Sequence, residues 1–243
     1  MSQTAPDAAA AGAQTVPFEL VVLDMAGTTV RDDGVVERAF RRAHERTGVA
    51  DAWEWDEALA YVRRTMGQSK VDVFAHLAGG DRERAEAAAV AFEHAYAELI
   101  REDGVEPMAG ATELFADLRA AGIAVVLTTG FAPATRDAII DALDWRRLVD
   151  GALSPADAGR GRPAPDLVLS AALRAGASRV AAVAVAGDTT SDIAAGLAAG
   201  AGLVVGVLSG AHDRDALVAA GAHAVVDDVA ALRPLLGLAP SGG

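Results

Sequence analysis

VVLDMAGTTV, residues 21–30, runs an apolar segment into a single carboxylate, Asp24, and follows it with a small turn rich in hydroxyls. Taken with the residues upstream, FELVVLD (18–24) reads as a short buried parallel strand that carries one acid to its carboxyl end. Four further runs have the same character: IAVVLTTG (123–130), VAAVAVAGD (180–188), AGLVVGVLSG (201–210) and the weaker HAVVDD (223–228). Helical patterns lie between them, in GATELFADLRAAG (110–122), APATRDAIIDALDW (132–145) and APDLVLSAALRAG (164–176), the last opening at Pro165. Strands alternating with helices over short connections predict an α/β fold with a doubly wound, Rossmann-like parallel sheet.

Residues 33–106 break the alternation. VVERAFRRAHERTG, WDEALAYVRRTMG, SKVDVFAHLAGG and DRERAEAAAVAFEHAYAELIRE are all helical patterns, with no strand among them. The expected organisation is therefore a core of residues 17–32 and 107–236 interrupted by an α-helical cap at 33–106, after a disordered leader at 1–16 and before a frayed tail at LAPSGG. Trp53 and Trp55, near a cap helix start, read as packing anchors, and His44, His94, His212 and His223 lack metal-ligand spacing.

Composition narrows the function. The 243 residues are 52% hydrophobic with a net charge of −13, a globular chain with an acidic surface. Nucleic acid is excluded as a general partner, because basic patches supply most of that affinity. An anionic substrate must then be met by a local site built from a metal, Lys, Arg or helix N-termini. There are no cysteines, which removes disulfides, thiolate catalysis and Cys-based zinc and fits a reducing, cytoplasmic setting. No apolar run reaches the ~20 residues of a membrane span, and MSQTAPDAAAAGAQTVP lacks the basic start of a signal peptide.

In open α/β sheets, ligands bind beyond the carboxyl ends of the strands. Asp24, Thr128 and Asp188 all fall at such ends and open onto one crevice. Asp24 is the candidate nucleophile, since a carboxylate can attack phosphorus and split a hard hydrolysis into two steps; alone, it could equally cap a helix. Gly27 permits a tight turn, and Thr28 and Thr29 add hydroxyls that can hold phosphate oxygens with the loop amides. In AGDTTSD, Asp188 and Asp192 would join Asp24 in holding a hard cation through oxygen, the alternative being that Asp188 or Ser191 caps the following helix. Thr128 offers a hydroxyl and an amide to a phosphate oxygen, and Arg162 a cation to the phosphate or to Asp24, with Arg160 a competitor.

In this order the motifs resemble the haloacid dehalogenase superfamily of Mg²⁺-dependent phosphohydrolases over residues 18–235. DMAGTT, TTG, GRPAPD and GDTTSD, with a helical insert after the first, are more narrowly similar to its phosphonatase branch, the phosphonoacetaldehyde hydrolases and their relatives. The resemblance implies Asp24 as nucleophile, Mg²⁺ on Asp24, the Ala26 carbonyl and Asp188 with Asp192 in support, and Thr128, Thr129, Gly130 and Arg162 around the phosphoryl group. MGQSKVDVF (66–74) matches the branch's Met–Gly–x–x–Lys pattern, which places Met66 and Gly67 by the substrate and Lys70 where phosphonatases form a Schiff base. A carbon leaving group departs as a carbanion, and an iminium on Lys70 would turn that carbanion into an enamine. Such a lysine must be partly neutral, so burial or nearby positive charge has to lower its pKa. The other reading of Lys70 is an exposed helix lysine paired with Asp72, and Met66 and Phe74 at i−4 and i+4 also look like a core stripe.

Two positions depart from the branch: the histidine three residues after the lysine is Val73, and the aromatic hydroxyl after TTG is Phe131. Ala26 departs from most phosphatases of the superfamily, which place there an acid to protonate a leaving oxygen, an aid worth ~10²–10⁴ in rate. The readings are thus P–C hydrolysis of a small phosphonate through Asp24, Mg²⁺ and Lys70, or P–O hydrolysis of a small phosphorylated metabolite without covalent lysine. A non-catalytic scaffold is disfavoured by the joint presence of Asp24, Thr128, Arg162, Asp188 and Asp192. Pairing of two copies through the cap is implied by resemblance only.

Overall fold

The computed structural model describes residues 18–238; the expected leader and all but the first residue of the expected tail lie outside them. Six parallel strands form one sheet in the order β3-β2-β1-β4-β5-β6: β1 Leu20–Asp24, β2 Ala124–Thr128, β3 Gly151–Leu153, β4 Val183–Gly187, β5 Leu203–Val207 and β6 Ala224–Val226. β1 is central and buried along its whole length. Its alternate side chains supply two cores: Val21 and Leu23 pack on one face, Leu20 and Val22 on the other. Burial on both faces is why the strand reads as a continuous apolar run.

Between β1 and β2 come α1 Val35–Thr47, α2 Trp55–Arg64, α3 Lys70–Leu77 and α4 Arg82–Asp103. Phe40 of α1, Phe74 of α3 and Phe92 of α4 form one aromatic cluster, with centroids 4.8–6.3 Å apart. Each such buried ring contributes about 1.5–3 kcal/mol by area. On the solvent side Arg42 and Arg46 of α1 pair with Glu98 and Glu102 of α4. Trp53 donates its indole N–H to the Leu77 carbonyl and Trp55 stacks on His44, so both serve as anchors within the helices.

The two chain crossings between these helices and the sheet run side by side: Val30 bridges to Pro107, and the Arg31 amide donates to the Glu106 carbonyl. The remaining helices are α5 Ala111–Ala120, α6 Pro133–Ala142, α7 Pro155–Ala158, α8 Asp166–Ala175, α9 Thr190–Ala199 and α10 Arg214–Ala219. Sequence patterning missed β3, α7 and α10. β3 is a three-residue edge strand in which only Leu153 is buried, too short to show a period.

Candidate active site

Parallel pairing fixes the first two site residues. β1 and β2 run in register, with Asp24 opposite Thr128, so both arrive at the same edge of the sheet. Asp188 follows directly after β4, the other neighbour of β1. The turn after Asp24 is held by hydrogen bonds from the Thr28, Thr29 and Val30 amides to the Met25 carbonyl. Gly27 sits at φ +88°, and a Cβ there would lie 2.6 Å from Asp188 Oδ2. That position therefore requires glycine on both backbone and steric grounds.

Asp24, Asp188 and Asp192 are buried, and each offers an oxygen within 4.8 Å of the others. Asp188 accepts from the Thr28 hydroxyl at 2.9 Å and from the Ala211 amide at 2.7 Å. Burial, followed by the charge of Asp24, pushes its carboxyl up to about 7. Two carboxylates forced together out of water are the donor set a hard divalent cation satisfies. Asp192 is more committed: one oxygen accepts from the Thr189 amide and hydroxyl, and the other pairs with Arg162. The N-cap of α9 is Thr189, rather than Asp188 or Ser191, in a reciprocal capping box with Asp192.

Arg162 is 4% exposed and reaches Asp24 Oδ1 at 2.5 Å. Its Nε is buried with no hydrogen-bond partner among the described residues, a guanidinium donor able to serve an anionic oxygen. Arg160, the competing candidate, is instead exposed and pairs with Asp166.

Asp24, Ala26, Met66, Gly67, Lys70, Thr129, Gly130, Phe131, Arg162 and Asp188 share one small cavity of about 30 Å³, which Asp32 also lines. Three expected contributors, Asp192, Thr28 and Thr128, are absent from this lining. Thr28 is fully buried and directs its hydroxyl to Asp188, so the expectation that it holds a phosphate oxygen through that hydroxyl is corrected. Thr128 is buried at the end of β2, next to the cavity-lining Thr129.

Lys70 is the first residue of α3, with Met66 in the preceding turn, so these two do not share a helix face as the spacing predicts. The lysine is 6% exposed, and its Nζ lies 5.4 Å from the ring centroids of Phe40, Phe92 and Phe131. The exposed pairing with Asp72 is therefore not found. Desolvation lowers the Lys70 pKa from 10.5 to about 8, with Arg162 adding in the same direction against the opposing pull of Glu93, Asp32 and Asp24. Val73 is buried on the same helix. His76 stacks on Tyr61, away from the cavity.

The cap meets the core at near-zero clearance. A Cβ on Gly67 would lie 2.6 Å from Thr189 Oγ1, and one on Gly130 would lie 2.4 Å from the Gln68 carbonyl oxygen. His212 joins the halves: its Nδ1 accepts from the Thr190 amide, so Nε2–H donates to the Arg63 carbonyl at 3.2 Å. Sequence reading gave His212 no such part, and it did not find Asp32 or the phenylalanine box.

A carboxylate at the end of the central strand, a buried acid cluster and a buried arginine thus meet beneath the four-helix insert, at the carboxyl edge of a parallel α/β sheet. The haloacid dehalogenase-like hydrolase family matches residues 18–200, and the chain belongs to it. Among solved structures, it is similar to a hydrolase from Pseudomonas syringae, with TM-score 0.78 and 25% identity over 90% of this chain and 98% of that one. A phosphonoacetaldehyde hydrolase like protein from Oleispira antarctica follows at TM-score 0.74 and 26% identity, covering 91% and 92% of the two chains. A predicted phosphoglycolate phosphatase from Haemophilus somnus, at TM-score 0.72 and 17% identity over 91% and 99%, shares the fold. No curated protein matches the sequence.

Proposed function

We propose that this hydrolase cleaves the P–C bond of phosphonoacetaldehyde or a related small phosphonate, with Asp24 as nucleophile and Lys70 as the imine-forming amine. The observation that carries the reading is Lys70 itself, boxed by three phenylalanines with a pKa lowered to about 8 and bordering the same cavity as Asp24. A lysine serving only as a surface charge has no reason to be desolvated in this way.

The Lys70 amine condenses with the substrate aldehyde and releases water. Asp24 then attacks phosphorus while the P–C bond breaks, and the bonding electron pair moves into the iminium to give an enamine. Water hydrolyses the aspartyl-phosphate, the enamine takes up a proton at carbon, and hydrolysis of the resulting imine frees Lys70. Arg162 and the Thr129–Gly130 backbone orient the phosphoryl oxygens. Asp24, the Ala26 carbonyl and Asp188 fit Mg²⁺, with Asp192 in support; when bound, the ion would offset repulsion between the Asp24 carboxylate and an anionic substrate. A cavity of about 30 Å³ holds about one water, so the helical insert must move off the core to admit substrate and close again around it in a wider arrangement than this one.

Ala26 suits this chemistry, because no oxygen leaving group needs an acid at that position. Val73 favours the second reading, a phosphatase acting on a small phosphate ester, since it removes the titratable group the phosphonatases carry beside the lysine.

Incubation with phosphonoacetaldehyde, Mg²⁺ and borohydride should leave a reduced adduct on Lys70 detectable by mass. Turnover surviving in Lys70→Arg would overturn the imine mechanism, and phosphate release from an ester panel, absent for the phosphonate, would establish the second reading. Asp24→Asn should abolish phosphate release from any substrate.

A further inference from the structure

Closed over its substrate, the site needs a group that takes a proton from Lys70 and later returns it, and the residue at the usual histidine position, Val73, can do neither. Asp32 lies just before α1 and is half-buried. One side of it lines the small cavity with Asp24, Lys70 and Arg162. Its other side borders an open groove with Asp33, Ser209 and Gly210. It is thus a carboxyl that touches both the closed site and the solvent side of the lid. Its orientation is fixed, because Oδ1 accepts from the Val36 amide at 2.9 Å in the first turn of α1.

We propose that Asp32 is the proton-exchanging carboxyl of Lys70, in the place of the histidine that this chain lacks; this rests on the imine reading above. Ionised Asp32 removes a proton from the Lys70 ammonium through one water in the cavity they share, and the free amine attacks the aldehyde carbon. A proton passes from nitrogen to oxygen, giving a neutral carbinolamine. Asp32, now a carboxylic acid, gives its proton to the carbinolamine hydroxyl. The C–O bond breaks, water leaves, and the nitrogen lone pair closes the iminium. Asp32 ends as the carboxylate it began as, and the same exchanges in reverse release the aldehyde product.

The electrostatics suit that duty. Burial raises the Asp32 pKa from 3.8 to about 6, with Glu37 and Asp33 adding to the rise and the Val36 amide and Lys70 opposing it. Tyr96 of α4 also feels its charge. Asp24, Asp188 and Arg162 face it across the cavity, and Glu93 of α4 acts on Lys70 with a larger charge effect than Asp32 does. Between about 6 and about 8 the resting pair is therefore carboxylate and ammonium, which is the state the first proton transfer requires.

The test is timed borohydride trapping of the Lys70 imine with phosphonoacetaldehyde, read by mass across pH, in the wild type, Asp32→Asn and Asp32→Glu. Asparagine still accepts from the Val36 amide, and a thermal melt checks that the fold survives. The wild type should trap in a bell with limbs near 6 and 8. Asp32→Asn should trap about 10²-fold or more slowly, its bell replaced by a single rise as the Lys70 ammonium loses its proton, and Asp32→Glu should restore much of the rate and the acid limb. Trapping in Asp32→Asn at the wild-type rate with the acid limb intact would overturn the role of Asp32 while leaving Lys70 in place. No adduct in the wild type would overturn the imine reading itself, and this proposal with it.

Discussion

Lys70 shows how a residue acquires its chemistry from its surroundings. Its amine is held among Phe40, Phe92 and Phe131, and their rings attract the cation while excluding the water that would favour it. Desolvation wins, and the pKa falls from 10.5 to about 8. A cation with a lowered folded pKa costs stability fully below about 8, and the cost fades as pH rises from about 8 to 10.5, above which it is gone. Lys70→Met should therefore stabilise the protein at neutral pH, by on the order of 1–3 kcal/mol, while ending turnover of a phosphonate; urea denaturation measures the first and phosphate release the second. Phe131→Gln should raise the Lys70 pKa toward its usual value by admitting polarity to the box, seen as an alkaline limb of activity displaced upward. The motif around Lys70 was legible in the sequence, but the box was not, because its rings stand at positions 40, 92 and 131 and share no local pattern.

The elements meet where backbones touch. α3 and the turn before it press on the loops after β2 and β4, and glycine is what lets them approach so closely. A methyl group on Gly130 would lie 2.4 Å from the Gln68 carbonyl oxygen, a backbone atom that cannot swing aside. Gly130→Ala should prop the cap off the core and displace Lys70 from Asp24, lowering kcat/KM by about 10²-fold with a much smaller change in Tm; steady-state kinetics and a thermal melt separate the two. The helical character of the insert was readable from four separate 3.6-residue patterns with no strand among them. β3 was not, because an edge strand of three residues with one buried side chain carries no period. The reassignment of Thr28 has a similar origin: in a turn of consecutive hydroxyls, sequence does not say which one faces a ligand and which one braces an acid.

Over the whole molecule, an acidic chain concentrates its site chemistry on a buried acid cluster. In the metal-free protein the Asp188 pKa is raised to about 7, so the stability this group contributes is full at low pH and is lost as pH rises through that value. Mg²⁺ binding would remove that loss. Mg²⁺ at ~100 times its Kd should stabilise the fold by about 2.7 kcal/mol, a Tm rise of roughly 5–10 °C for a chain of this size. The rise should be larger above pH 7 than below it and absent in Asp188→Asn, as differential scanning calorimetry would show; an equal shift in that variant would place the ion elsewhere.

Sequence alone determined the parallel α/β core, the helical insertion and the strand ends bearing Asp24 and Asp188. Those features follow from periodicity and chain order, which are local properties. Only tertiary structure decided that Thr128 stays out of the cavity lining, that Lys70 is stripped of water, that Arg162 reaches Asp24 and that Asp32 joins them. Residues far apart in the chain create each of those environments, and a pKa or an unpaired donor exists only once they have packed together. In VVLDMAGTTV the acid was visible at once, and its partners come from positions 32, 70, 162 and 188, brought to it by the fold.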